Sequence, residues 1–185
     1  MGDRLVSQAF GKRHLLLPNL GPPATSELWL QHANRALFYG EVPCPWQPAQ
    51  DLRERTVMDH MAASVYPLAM MIADSTPLGG DFNTMWYRSS TNGSAFIALN
   101  NDDHNGVLET RVSLAPLYHL PSEGNFEAVL WDGLAVFATV ATGSAVELSS
   151  QVFSFLLEAN STRVLAFVPP GTLQSQETED AFHNS

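Results

Sequence analysis

The sequence predicts a mainly β protein with an α-helical N-terminal part, in which antiparallel strands build a β-sandwich or a jelly-roll-like barrel. Apolar residues recur at strand periods from Thr84 to Val168, with turn residues about every eight to twelve positions. Residues 108–114 alternate between polar and apolar side chains, which is typical of a strand with one buried face. Upstream, apolar positions follow a helical period instead.

The N-terminal 24 residues lack any periodicity and finish in prolines and a glycine, which predicts an extended arm. Thr25 or Ser26 then suits the N-cap of a helix, and Gly40 suits its C-terminal end. One face of this helix collects the apolar residues Trp29, Ala33, Ala36 and Leu37.

Three prolines between residues 41 and 50 forbid a regular element there and predict a connector. A second helix is expected to start near Asp51, and Pro67 is expected to kink or end it. Residues 68–73 fit a helix or a buried strand equally well. Four methionines of this region predict adaptable core packing, with a docking surface as the alternative: Met58, Met61, Met70 and Met71.

A turn is predicted at 76–80, and from there on the chain is predicted to be β. The expected strands are 85–89, 95–100, 108–115, 125–131, 134–141, 151–157 and 162–168. Asn92-Gly93 between the first two of them is a strong hairpin signal. The predicted organisation is therefore an arm (1–24), a helical region (25–80), a β-sandwich (81–170) and an acidic mobile tail (171–185).

Charge and composition narrow the classes of function. The 185-residue chain has a net charge of −10, which disfavours nucleic acid as a partner because phosphates are bound by clustered lysine and arginine. Cys44 is the single cysteine, so neither an intramolecular disulfide nor a multi-cysteine metal site is expected. No segment resembles a membrane span or a signal peptide, which predicts a soluble, cytoplasmic or virion-associated protein. No cofactor is expected.

Residues 100–106 form the most polar cluster, and its oxygen-rich side chains make Asp102 and Asp103 candidate metal ligands. The spacing is not that of an EF-hand, and a plain inter-strand loop has the same composition. Acid–base chemistry could use His104 of this loop, or Asp59 and His60 upstream. His60 would share a helical face with Ser64, but no nucleophile-elbow motif supports a catalytic serine, and no catalytic residue is assigned.

Aromatic side chains give the clearest candidates for contact with a ligand or partner, because flat rings stack on sugars and anchor protein interfaces. These candidates are Trp86, Tyr87, Tyr118 and Trp131. Trp86 and Tyr87 are adjacent on one predicted strand and must point to opposite faces. Packing in the core is the default interpretation of each ring.

Three segments carry a resemblance to a known family: 94–101, which ends in an Asn-rich turn, 123–130, and 160–165. Taken together, residues 86–169 resemble the C-terminal β-sandwich domain that follows the catalytic barrel in α-amylase-superfamily glycoside hydrolases. This resemblance implies an accessory module, and the catalytic carboxylates of the barrel have no counterpart in it.

Three classes of function follow. The proline-rich arm, the strands that are apolar on both faces and the absence of a catalytic motif favour a non-catalytic assembly protein. A subunit of a virion shell or decoration layer is an example. It would have protein partners or self-associate. The alternative is a carbohydrate-linked accessory module of a glycoside-hydrolase system, and a small hydrolase comes third.

Overall fold

The computed structural model describes residues 15–16, 25–43, 59–89, 93–113, 123–133 and 137–173. Helix α1 spans Ser26–Tyr39. The hydroxyl of Thr25 caps it by accepting a hydrogen bond from the amide of Leu28 at 3.2 Å. Gly40 ends it in a left-handed conformation with φ of 70°. The cap, the glycine and the apolar face are thus confirmed.

Two short strands flank α1. Strand β1 is Leu15–Leu16 and β2 is Val42–Pro43, and they pair in parallel. A helix is the usual connection between parallel strands, so α1 forms the crossover of a small βαβ unit. Most of the predicted arm and connector lies outside the described residues, as does Cys44.

The second helical segment runs to Ala73 without stopping at Pro67. A π-helical turn, Met61–Val65, leads directly into helix α2, Tyr66–Ala73. Pro67 occupies the first turn of α2, where a missing amide proton costs least. The π turn also moves the preceding carbonyl groups away from the proline ring, which would clash with them in a regular α-helix. Residues 68–73 are therefore helical.

The methionines of this region do not share one environment. Met61 is buried and Met71 packs partly against the core, whereas Met70 is 55% exposed. Met58 lies outside the described residues.

Eight strands follow: β3 (Ser75–Gly80), β4 (Thr84–Ser89), β5 (Ala95–Asn100), β6 (Leu108–Ser113), β7 (Asn125–Trp131), β8 (Phe137–Ser144), β9 (Val152–Leu157) and β10 (Thr162–Val168). Six of them form one antiparallel sheet in the order β3-β4-β5-β10-β7-β8, while β6 pairs with β9 in a separate antiparallel sheet. The described residues contain no closed barrel. The predicted mainly β protein with antiparallel sheets and an N-terminal helical part is confirmed.

Two local expectations are corrected. Residues 76–80 form strand β3 rather than a turn, because a register shift between Pro77 and Gly79 allows the proline to sit at the sheet edge. A short helix α3, Ala145–Ser149, follows β8; Ser144 and Glu147 start it with a reciprocal capping box. The arrangement of the domains proposed from the sequence stays a prediction.

The central strands of the six-stranded sheet are buried on both faces. Side chains of α1 and α2, among them Leu37 and Leu68, pack with Phe96 and Val164 on one face. On the other face, side chains of β6, β9 and α3 pack with Ile97 and Phe167. All six residues of β5 are buried, which explains why this central strand is almost entirely apolar.

Candidate functional site

The turn between β3 and β4 presents an aromatic ring to solvent. Phe82, at its centre, is 67% exposed, and no other described aromatic residue is among the exposed large hydrophobic side chains. The amide of Asp81 donates to the carbonyl oxygen of Thr84 at 2.9 Å, which closes the turn. The carboxylate of Asp81 accepts from the amide of Asn83 at 2.9 Å. The ring therefore stands on a backbone that local hydrogen bonds fix in place.

Asn83 fastens this turn to the end of β5. Its side-chain amide donates to the carbonyl oxygen of Asn100 at 2.9 Å, and its own carbonyl oxygen accepts from the amide of Asn100, also at 2.9 Å. These two contacts anchor the turn to the most buried strand of the sheet. Phe82 is thus an exposed ring on a pre-organised support, which is the property that a stacking contact requires.

The Asn-rich loop after β5 is held by one buried side chain. The side-chain nitrogen Nδ2 of Asn101 donates to the carbonyl oxygens of Gly106, Leu157 and Glu158 at 3.0, 3.0 and 3.1 Å. The side-chain oxygen of Asn101 accepts from the amide of Asp103 at 3.0 Å. The side chain of Asn101 therefore holds the loop against the end of β9.

The two carboxylates proposed as metal ligands form an ion pair and hydrogen bonds with residues of this loop and its neighbours. Asp102 Oδ2 pairs with the guanidinium of Arg35 at 2.7 Å, and Asp102 Oδ1 accepts from the side-chain amide of Asn100 at 2.6 Å. Asp103 Oδ1 accepts from the amide of Asn105 at 2.9 Å. Among the described residues, no group of three or more histidine, cysteine, aspartate or glutamate side chains is placed to hold a metal ion.

A second polar cluster joins the two helices to the end of β7. Nδ2 of Asn34 donates to the carbonyl oxygen of Gly133 at 2.7 Å, which leaves Oδ1 of Asn34 to accept from Nε2 of His60 at 2.9 Å. The imidazole also stacks on the indole ring of Trp131 with 6.3 Å between ring centroids. Burial lowers the pKa of His60, and the negative charge of Asp132 partly opposes this shift.

His60 and Ser64 share a helical face as predicted, but their geometry does not suit a nucleophile–base pair. Ser64 is fully buried and its hydroxyl donates to the carbonyl oxygen of His60 at 3.0 Å. Its distance to Nδ1 of the imidazole is 3.5 Å, long for a hydrogen bond. No substrate can reach this hydroxyl in the folded chain. The two other candidates for acid–base chemistry, Asp59 and His104, are exposed.

The aromatic candidates named from the sequence lie in the core, with the exception of Tyr118, which is outside the described residues. Trp131 is fully buried, Trp86 is 9% exposed and Tyr87 is 3% exposed. Trp86 and Tyr87 do point to opposite faces, but both faces of the sheet are covered. These three contact candidates are therefore packing residues, as the default interpretation had it. Sequence reasoning missed Phe82, although its setting of Asp-Phe-Asn between two strands was a usable signal.

The part of the chain that the structure describes contains no helix long and apolar enough to cross a membrane. No protein-family model and no curated protein matches the chain.

Solved structures do resemble it. Isomalto-dextranase from Arthrobacter globiformis T6, solved with panose, superposes with a TM-score of 0.53 at 14% identity, over 80% of this chain and 24% of that chain. α-Galactosidase I of Mortierella vinacea superposes with a TM-score of 0.49 at 11% identity, over 82% of this chain and 38% of that chain. A GH27 β-L-arabinopyranosidase of Geobacillus stearothermophilus superposes with a TM-score of 0.47 at 9% identity, over 78% of this chain and 30% of that chain. The likeness to isomalto-dextranase is one of fold.

This result corrects the function first favoured from the sequence. The superposition on isomalto-dextranase contradicts the expectation of a virion shell or decoration subunit and favours the carbohydrate-linked alternative. The resemblance to glycoside hydrolases noted from the sequence is confirmed as a likeness of fold. The chain spans only about a quarter to two fifths of the length of the enzymes named above.

Proposed function

We propose that this chain is a non-catalytic accessory β-sandwich module of a glycoside-hydrolase system, and that it contacts carbohydrate through Phe82. The observation that carries the proposal is the superposition on isomalto-dextranase, in which 80% of this chain corresponds to 24% of a much longer enzyme. Residues 81–170 make up only about half of the chain, so the superposition extends into the helical layer as well.

The chemistry of Phe82 fits a contact with sugar. One face of a pyranose ring presents aliphatic C–H groups, and an exposed aromatic ring can stack on them. Because hydrogen bonds hold Asp81 and Asn83 in place, stacking on Phe82 costs little conformational entropy. Asp81, the exposed residue that precedes Phe82 in the chain, has a carboxylate that can accept from sugar hydroxyl groups.

The buried hydroxyl of Ser64 and the ion pair of Asp102 support an accessory role over a hydrolytic one. Hydrolysis of a glycosidic bond requires two carboxyl groups on either side of the bond. Asp102 is instead occupied by Arg35 and Asn100, and it holds helix α1 against the end of β5.

Affinity electrophoresis tests this function. The purified chain is run through native gels that contain dextran, other α-glucans or a galactan, since the neighbours act on glucosides and galactosides. We expect retardation in at least one gel, and we expect Phe82→Ala to abolish it. Met70→Ala is the matched control, because Met70 is also an exposed apolar side chain but lies on helix α2. Equal retardation of both variants, or no retardation in any gel, contradicts the proposal.

A further inference from the structure

A carboxylate lies beside the main chain of the exposed aromatic residue in the β3–β4 turn. Oδ1 of Asp81 accepts from the amide of Asn83 at 2.9 Å, and the loop of atoms that this hydrogen bond closes contains the main chain of Phe82. Phe82 is 67% exposed, and Asp81 is exposed as well. The turn therefore presents a carboxylate and an aromatic ring to solvent from two consecutive residues.

These two groups attract the same kind of ligand. A positive charge is attracted both to the face of an aromatic ring and to a carboxylate. A ring alone would stack on the C–H face of any sugar, whatever its charge. Together, the ring and the carboxylate suit a sugar that carries a positive charge, because its C–H face can stack while its charged group stands beside the carboxylate.

The strands around the turn contribute little positive charge. Residues 75–100, which include β3, the turn, β4 and β5, contain only two charged side chains, Asp81 and Arg88. Arg88 lies near the far end of β4, about 13 Å along the strand from Thr84. Salt screens exposed charges over about 8 Å, so Arg88 has a weak effect on the turn. Arg163 is half-buried in β10, two strands away from β4.

The loop after β5 adds negative charge on the side of the turn that faces it. Asn100, which accepts the hydrogen bond of Asn83, also donates to Asp102. The charge of Asp102 is matched by Arg35 at 2.7 Å. The next residue of this loop, Asp103, is exposed. The turn and the adjoining loop thus have an excess of negative charge.

We propose that the carbohydrate site at Phe82 binds an amino sugar whose amino group is protonated, such as a unit of chitosan. The proposal rests on the carbohydrate contact proposed above for Phe82. Phe82 stacks on the sugar ring, and Asp81 selects for the positive charge. The net charge of −10 on the whole chain adds a long-range attraction for such a polymer and repels sugars that carry carboxylate or sulfate groups.

Isothermal titration of the full chain with chitosan oligosaccharides and with chitin oligosaccharides of the same length tests this proposal. N-acetylation removes the charge of the amino group but preserves the sugar backbone, so the two oligomers form a matched pair. The titrations are run at a pH below the pKa of the sugar amine. We expect the chitosan oligomer to bind about two- to five-fold more tightly, which is the range of one exposed ion pair. Added salt should reduce this preference.

Three variants assign the preference to its residues. Asp81→Asn should abolish it, because asparagine retains the acceptor for the amide of Asn83 but has no charge. Phe82→Ala should abolish the binding of both oligomers. Asp74→Asn is the matched control and should retain the preference, since Asp74 is also exposed but lies at the opposite end of β3 from the turn. Near-ultraviolet circular dichroism checks that each variant folds.

The outcomes separate this proposal from the accessory function. Equal affinity for the two oligomers, or a preference that survives Asp81→Asn, overturns the proposal and leaves the accessory function standing. Chitosan binding that survives Phe82→Ala also overturns it, because the attraction is then that of the acidic chain as a whole. Failure of both oligomers to bind overturns it too, and the accessory function falls as well only if the gels with neutral glucans and galactan show no retardation.

Discussion

The hydroxyl of Tyr87 donates a hydrogen bond to the main-chain oxygen of Phe38 at 2.7 Å. Tyr87 lies in β4 and Phe38 near the end of α1, and each is 3% exposed. A buried polar contact thus joins the helical layer to the sheet. Because a shifted helix would leave both the phenol and the carbonyl oxygen without a partner in apolar surroundings, this contact fixes where the helix lies on the sheet.

Tyr87→Phe should destabilise the chain by about 1–2 kcal/mol. The substitution preserves the ring, but it leaves the carbonyl oxygen of Phe38 buried without its donor. The free energy of unfolding from urea titration measures this loss. Tyr39→Phe is the control, because the hydroxyl of Tyr39 only accepts from the half-exposed Arg35. An equal loss in both variants would contradict the special role of the Tyr87 contact.

Gly40→Ala should destabilise the same junction by about 1–3 kcal/mol. Gly40 has a φ of 70°, and a Cβ there would lie 2.9 Å from Cε1 of Tyr87. Backbone strain and steric contact therefore act together. Gly171→Ala is the control for the strain, because Gly171 has a similar φ of 75° and is exposed. In thermal unfolding of the two variants, we expect the lower melting temperature for Gly40→Ala. The reverse order would refute the close contact.

Asn101→Ala should cost about 1–3 kcal/mol and free the loop that follows β5. The substitution removes the donor to three carbonyl oxygens and the acceptor for the amide of Asp103. Exposed Asn105 provides the control: Asn105→Ala should change stability little. Hydrogen exchange should show faster exchange of the Asp103 amide only in Asn101→Ala.

His60 should make the stability of the chain depend on pH. Burial lowers the pKa of His60 in the folded chain below its usual value of 6.5, so the unfolded chain takes up the proton first as the pH falls. The contribution of neutral His60 is therefore complete above pH 6.5 and declines as the pH falls through the lowered pKa of the folded chain. Urea titrations on both sides of this range measure the decline.

His60→Gln is the matched variant for this pH effect. The glutamine side chain retains a donor for Oδ1 of Asn34 but does not titrate. The difference in stability between the original chain and His60→Gln should therefore shrink or reverse as the pH falls. A difference that is independent of pH would show that His60 has the same pKa in the folded and unfolded chains.

The sequence predicted most strands because each shows one of two patterns between turn residues. Either polar and apolar residues alternate, or a short run of residues is apolar on both faces of the strand. It placed 125–131 and 162–168 at their observed bounds. It misplaced β3, since Pro77 and two glycines read as a turn unless the partner strand is known. It missed α3, because a five-residue helix between strands is too short for periodicity and depends on the capping box of Ser144 and Glu147.

The candidate site was harder to predict for a physical reason. Trp86 and Trp131 have the ring chemistry of ligand contacts, but whether such a ring is free depends on the layers that cover the sheet. The helices cover one face, and β6, β9 and α3 cover the other. Phe82 is exposed because the turn carries it beyond both layers, and only the three-dimensional structure reveals this.

The central claim is that the chain binds carbohydrate without hydrolysing it. Isothermal titration with isomalto-oligosaccharides, panose and galactosides, combined with an assay of released reducing ends on the same samples, tests the claim most directly. We expect saturable binding to at least one of these sugars and no release of reducing ends. Release of reducing ends that scales with the amount of protein, or no heat of binding with any sugar, would contradict it.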